Sequence, residues 1–149
     1  MVSKPRRDGV RDLVVRARRE QIVEAATRVF AEKGFRRSTT REVARVAGVS
    51  EGTIYNYFEY KNALMLAILD RLNETERRAA DFEEGMAMDF PGFLKEYLRR
   101  RISLMWENRE VFRVVLSEIL VNAELRARYL QRVVDPTMKI AEETFRLRV

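Results

Sequence analysis

Thr53, Tyr55 and Asn56, close together near the middle of the chain, have the chemistry to read a nucleic acid. Thr53 and Asn56 donate and accept hydrogen bonds of the kind that base edges and phosphates offer, and the Tyr55 ring fits against a thymine methyl group. Gly52 leaves the backbone amides of the same segment open to a phosphate. Other chemistry is poorly supplied. The sequence has no cysteine and no histidine, which removes disulfides, thiolate nucleophiles, most zinc sites and the commonest general base. The adjacent acids Glu83-Glu84 and Glu142-Glu143 point in different directions on a helix and make poor chelators. No enzymatic activity, metal site or cofactor is expected.

Side chains that read a duplex must be held rigidly, and residues 40 to 57 spell out a device that does so. Thr39-Thr40-Arg41-Glu42 fits a capping box. A short helix follows with Val43, Ala44 and Ala47 inward, and Gly48 permits a turn. Ser50 caps a second short helix running to about Tyr57. Ala44 is small enough for close helix contact, and Val49 and Ile54 complete an apolar wedge, so the spacing predicts a helix-turn-helix. Upstream, Ile22, Ala25, Ala26, Val29 and Phe30 mark one face of a helix that starts near Arg18, stops at Gly34 and lets Phe35 fold back onto the core. Residues 1–17 read as a mobile basic arm, since residues 1–19 hold seven basic side chains against two acids.

Residues 62–149 also read as helical, with no strand pattern anywhere. Leu64, Met65, Ile68, Leu69 and Leu72 mark a helix expected to continue through the charged stretch to Glu84, with a connector bracketed by Gly85 and Pro91. Leu94, Leu98, Ile102 and Met105 form one stripe, and Phe112, Val115, Leu116, Ile119 and Leu120 another. Asn122 caps a last segment, in which Asp135-Pro136 either kinks the helix or restarts it. The fold class is therefore all-α, divided into a basic arm (1–17), a helix-turn-helix domain (18–61) and a helical domain (62–149).

Charge divides along the same line. Residues 1–61 carry 14 Lys and Arg against 8 Asp and Glu, while residues 62–149 carry 15 of each, so the net charge of +6 belongs to the first segment. A polyanion would be drawn there. Acidic membrane headgroups or an acidic protein would feel the same pull, but neither needs a glycine turn followed by Thr53, Tyr55 and Asn56. No run approaches the roughly 18 apolar residues of a membrane span, and the N-terminus lacks the apolar run of a signal peptide. These features give the expectation of a cytoplasmic protein.

Ala31-Glu32-Lys33-Gly34-Phe35, Thr39-Thr40, Val46-Ala47-Gly48-Val49-Ser50, Gly52-Thr53-Ile54-Tyr55, Tyr57-Phe58 and Lys61 together resemble the DNA-binding domain of the TetR family over about residues 17 to 66. The resemblance implies a dimeric repressor whose N-terminal helices bind a palindromic DNA operator and whose C-terminal helices bind a small inducer and the second subunit. Carried over by position, Thr40 opens the supporting helix against the backbone of the duplex. Ser50, Glu51, Gly52, Thr53, Tyr55 and Asn56 lie on the recognition helix, and Tyr57 and Lys61 reach flanking phosphates. Glu51 either accepts from a cytosine amino group or favours the positive end of its helix. Phe93, Tyr97, Met105, Trp106, Phe112 and Leu116 are candidates to line an inducer pocket. The sequence departs from the family pattern at Tyr60-Lys61-Asn62. A typical family chain also continues into two further long helices, so the expectation is a dimer bundle built from other helices or a chain that is part of a longer protein.

Overall fold

The computed structural model describes residues 7–73 and 75–147, with side chains described from Gly9 onward except at 74–79. Every regular element among the described residues is helical. The chain divides into two compact units between Leu64 and Met65.

In the first unit, α1 (Arg7–Lys33) buries Ile22, Ala26 and Phe30 on the face that the apolar spacing marks. It begins eleven residues before the expected start at Arg18, so the described part of the arm at 1–17 is a helix. Val10, Leu13 and Val14 on this extension are 57 to 65% exposed. Apolar periodicity marks where a helix is buried, and an exposed helix without a breaker leaves no such mark. The arm residues Lys4 and Arg6 lie outside the described residues. Gly34, at φ 80°, ends α1 by donating its N–H to the Phe30 carbonyl at 2.8 Å. Phe35 then turns back so that its ring meets Phe30 edge-on, with centroids 5.2 Å apart.

Helix α2 (Thr40–Ala47) opens on the full capping box: Thr39 Oγ1 accepts from the Glu42 N–H at 3.2 Å, and Glu42 Oε2 accepts from the Thr39 N–H at 2.9 Å. The Lys33 ammonium bonds the other Glu42 oxygen. Lys33 first, and the Thr39 amide after it, hold the Glu42 carboxyl below its ordinary pKa. Gly48 closes the helix at φ 68°, ψ 33°, and its N–H reaches the carbonyls of Ala44 and Arg45. Gln21 on α1 donates to the Ala47 carbonyl at 2.6 Å, satisfying a helix-end acceptor from outside the helix. Helix α3 (Glu51–Tyr57) follows, with Ser50 Oγ accepting from the Thr53 N–H at 3.1 Å. Val43, Ala44, Ala47 and Ile54, at no more than 5% exposed, form the wedge between α1, α2 and α3.

Helix α4 (Lys61–Asn73) runs into the second unit. Its six consecutive buried residues, Leu64 to Leu69, make it a core helix with no polar face along that stretch. Residue 74 lies outside the described residues, and beyond it α5 (Thr75–Gly85) is helical over the charged stretch to Glu84. Helix α6 (Phe90–Glu107) is capped by Asp89 and carries Pro91 in its first turn, where proline's missing N–H costs nothing. Phe93 and Tyr97 on α6 gather around Phe82 of α5, with centroids 5.4 and 5.0 Å from it. A Cβ on Gly85 would lie 2.1 Å from the Phe93 ring, so this approach requires glycine. The Leu94, Leu98, Ile102 and Met105 stripe is 37 to 64% exposed. Between α5 and α6, Arg100 joins Asp81 at 2.7 Å and Glu96 at 3.1 Å.

Helix α7 (Arg109–Val121) turns over Asn122, whose side chain accepts from the Leu125 N–H at 3.2 Å to start α8 (Ala123–Tyr129). Asp135-Pro136 neither caps nor restarts the helix. Leu130–Val134 forms a π-helical turn, Asp135 keeps helical angles and donates to the Leu130 carbonyl, and α9 (Asp135–Arg146) continues. Proline cannot donate and its ring crowds the carbonyl four residues back; the wider turn just before it gives the chain room to remain helical.

Substituting Gly48 tests the turn, because a Cβ there would meet no atom within 4 Å and the whole penalty is conformational. Gly48→Ala is expected to lower the unfolding free energy by about 1–2 kcal/mol and Gly48→Asn by less, measured by urea unfolding followed by circular dichroism. A second expectation concerns acid. Hydrogen bonds from Arg99 and then Arg100 lower the Glu96 pKa from 4.5 to about 2. Its folded pKa is depressed, so its contribution is present above pH 4.5 and disappears as pH falls toward 2. Glu96→Gln should flatten that part of the acid unfolding curve.

Candidate nucleic-acid interface

The wedge sets which side chains face away from the first unit. Ile54 is fully buried, which turns Tyr55 and Asn56 outward on α3, Tyr55 at 51% exposure. Gly52 is exposed, and Glu51, Thr53 and Tyr57 are half-buried. Asn56 is exposed, and no described residue bonds its carboxamide.

The remaining expected contacts are tied to one another. The Thr40 hydroxyl donates to Glu51 Oε1 at 2.7 Å and lies 3.1 Å from the Tyr55 hydroxyl. Arg41 Nε approaches the other Glu51 oxygen at 3.5 Å. Ser50 Oγ caps α3 and sits 2.8 Å from Thr53 Oγ1. Thr40 and Tyr55, fifteen residues apart, thus meet across α2 and α3. Lys61 points elsewhere: its ammonium donates to the Ser38 carbonyl at 2.7 Å and stands 4.3 Å over the Phe35 ring. In this arrangement Lys61 fastens the loop between α1 and α2 to the start of α4, which is a structural duty that the expected phosphate contact did not include.

Two cations escaped sequence inspection. Arg41 and Arg45, one turn apart on α2, are both exposed and lie on one face of the helix. Their spacing was visible, but which face of α2 is covered depends on α1. A guanidinium at each position suits a phosphate.

The six residues expected to line a pocket are divided among separate places in the second unit. Met105, Phe112 and Leu116 border a cleft of about 130 Å³ with Leu69, Leu72, Leu104, Asn73, Arg101 and Tyr129. Phe93 and Tyr97 belong to the aromatic group around Phe82. Trp106 is 71% exposed, with the Arg109 guanidinium 5.4 Å from its ring. The sequence shows that these residues are apolar and helical, and the cleft depends on how four helices meet.

Comparison with known proteins agrees with this geometry. Residues 22–68 match the family described as bacterial regulatory proteins, tetR family. The chain is similar to the HTH-type transcriptional regulator TtgR of Pseudomonas putida, 44% identical over 66 residues, which is 44% of this chain and 31% of that protein. It is also similar to the HTH-type transcriptional repressor Rv1474c of Mycobacterium tuberculosis, 42% identical over 64 residues, 43% of this chain and 33% of that protein. The chain thus spans about a third of the length of these relatives. Among solved structures, a transcriptional regulator from Aquifex aeolicus VF5 shares the fold at a TM-score of 0.67 and 22% identity, covering 86% of this chain and 71% of that one.

If Lys61 acts on the loop rather than on a ligand, Lys61→Ala should lower stability by about 1–2 kcal/mol through loss of the carbonyl bond and the ring contact. Urea unfolding measures this. An unchanged midpoint would return Lys61 to the exposed, ligand-facing set.

Proposed function

We propose that the chain, whose residues 22–68 match the tetR family of bacterial regulatory proteins, is a ligand-responsive repressor that binds a palindromic operator as a dimer. One observation carries the DNA reading: Thr53, Tyr55 and Asn56 face outward from a helix pinned by Ile54 beside the Gly48 turn. A helix held this way enters a major groove, where Asn56 offers a donor and acceptor pair that suits adenine. Thr40, Ser50, Glu51, Gly52 and Tyr57 surround it, while Arg41 and Arg45 take phosphates. The basic excess of residues 1–61 supplies the salt-dependent part of the affinity.

A single recognition helix covers too few base pairs to be selective, so two copies place their α3 helices in successive major grooves about 34 Å apart. Exposed apolar side chains on α7 and α9, among them Leu120 at 76% and Met138 at 62%, support a contact between copies there. The cleft of about 130 Å³ beside Met105, Phe112 and Leu116 supports a small inducer, because an apolar cavity of roughly 150 Å³ takes a benzene-sized guest. Such a guest would be largely apolar, with an acceptor for Arg101. The name of the mycobacterial relative supports repression as the sign of the response.

Selecting random duplexes for binding tests the whole reading. The expected product is an inverted repeat, and sedimentation with that duplex should show two chains per site. A selection that returns no common sequence rejects the proposal. Arg45→Ala should weaken binding to all duplexes alike and reduce the salt slope by about 0.9 for the lost phosphate, whereas Thr53→Ala should change which bases are preferred.

A further inference from the structure

Glu51 places a carboxylate in the middle of the surface assigned to a polyanion, where it costs affinity unless it does something else. Both of its oxygens are engaged within the protein: Oε1 accepts from the Thr40 hydroxyl at 2.7 Å, and Oε2 faces Arg41 Nε at 3.5 Å. A hydroxyl has one proton. Thr40 gives its proton to Glu51, so in the 3.1 Å contact between Thr40 and Tyr55 the phenol must be the donor. The chain of bonds therefore runs from the Tyr55 hydroxyl to Thr40 and on to Glu51, and it spends both hydroxyl protons inside the protein. Neither group has a proton left for a phosphate oxygen, which can only accept. What remains outward is the face and edge of the Tyr55 ring, half exposed and fixed at its far end.

We propose that Glu51 is a specificity-determining positioning residue: acting through Thr40, it holds the Tyr55 ring as an apolar reader of a thymine methyl group and withholds the phenol from phosphate. This rests on the reading of the surface as a DNA interface. It also gives Glu51 a role that the sequence does not suggest, because both oxygens already face partners within the protein. The charge has a second consequence. It repels the duplex backbone, so the restraint on Tyr55 is held at the expense of non-specific affinity.

The test is a thymine-to-uracil scan of the selected duplex, which removes one methyl group at a time and leaves every hydrogen-bonding group unchanged. Wild-type protein should lose about fourfold in affinity at one thymine per half-site, the worth of one buried methyl group. Glu51→Ala and Thr40→Val should each abolish most of that loss at the same position, and the double variant should go no further than either alone. Glu51→Gln keeps an acceptor for Thr40, so it should preserve the methyl response while raising affinity for unrelated duplexes. All variants alter exposed or half-buried side chains, and circular dichroism checks that each is folded. Two results would overturn the inference: a methyl response unaltered in Glu51→Ala, or Glu51→Gln and Glu51→Ala both changing preference at one cytosine, which would make Glu51 a direct reader. If wild-type protein shows no base preference at all, the DNA reading beneath the inference fails as well, and that outcome is distinct from the other two.

Discussion

The first unit depends on a reversal of direction that L-residues with a Cβ adopt only under strain. At Gly48 the backbone enters the left-handed region and drops α3 beside α2, with the glycine N–H satisfying the last carbonyls of α2. The reversal gains its energy from what it brings together. Ala44 lets the two helices approach, and Val43, Ala47 and Ile54 fill the space. Every exposed residue of α3 takes its direction from this packing, because burying Ile54 completely leaves Tyr55 and Asn56 only the outward side.

Helices of eight and seven residues do not persist alone in water. Their support is concentrated at their ends. The Thr39–Glu42 box starts α2, Gln21 takes up the Ala47 carbonyl, and Ser50 starts α3. Lys33 joins the box through Glu42, and Lys61 holds the preceding loop through Ser38 and Phe35. The polar side chains of this unit therefore fall into two sets. One set is consumed in holding short helices at fixed angles, and the other, with Asn56 at its centre, remains available to a partner.

The second unit is built on a different balance. α4 is buried on all sides over Met65 to Leu69, whereas α6, α7 and α9 keep large apolar side chains in solvent, from Leu94 at 37% to Leu120 at 76%. Its close contacts include the aromatic group that needs glycine at position 85, the Asn122 cap, the π-turn that carries one helix through Pro136, and the 3.1 Å pair of Arg132 with Asp70. The cleft beside Met105 and Phe112 lies among these contacts.

What the sequence determined by itself was everything carried by local chemistry. The capping box, the stops at Gly34 and Gly48, the Ser50 and Asn122 caps and the inward face of α1 depend on residues within one or two turns of each other, so their spacing is sufficient to place them. The outward positions on α3 follow once Ile54 is buried in the wedge. The tertiary structure decided whatever needed partners distant in the chain. It took Lys61 inward to a carbonyl 23 residues away, linked Thr40 to Tyr55 through a shared hydroxyl, and scattered the six pocket candidates over a cleft, an aromatic group and open solvent. The extension of α1 back to Arg7 was missed for a different reason, since an exposed helix has no periodicity to reveal it. Side-chain type fixes what a residue can bond, but only the packing of helices against one another fixes which partner comes within reach.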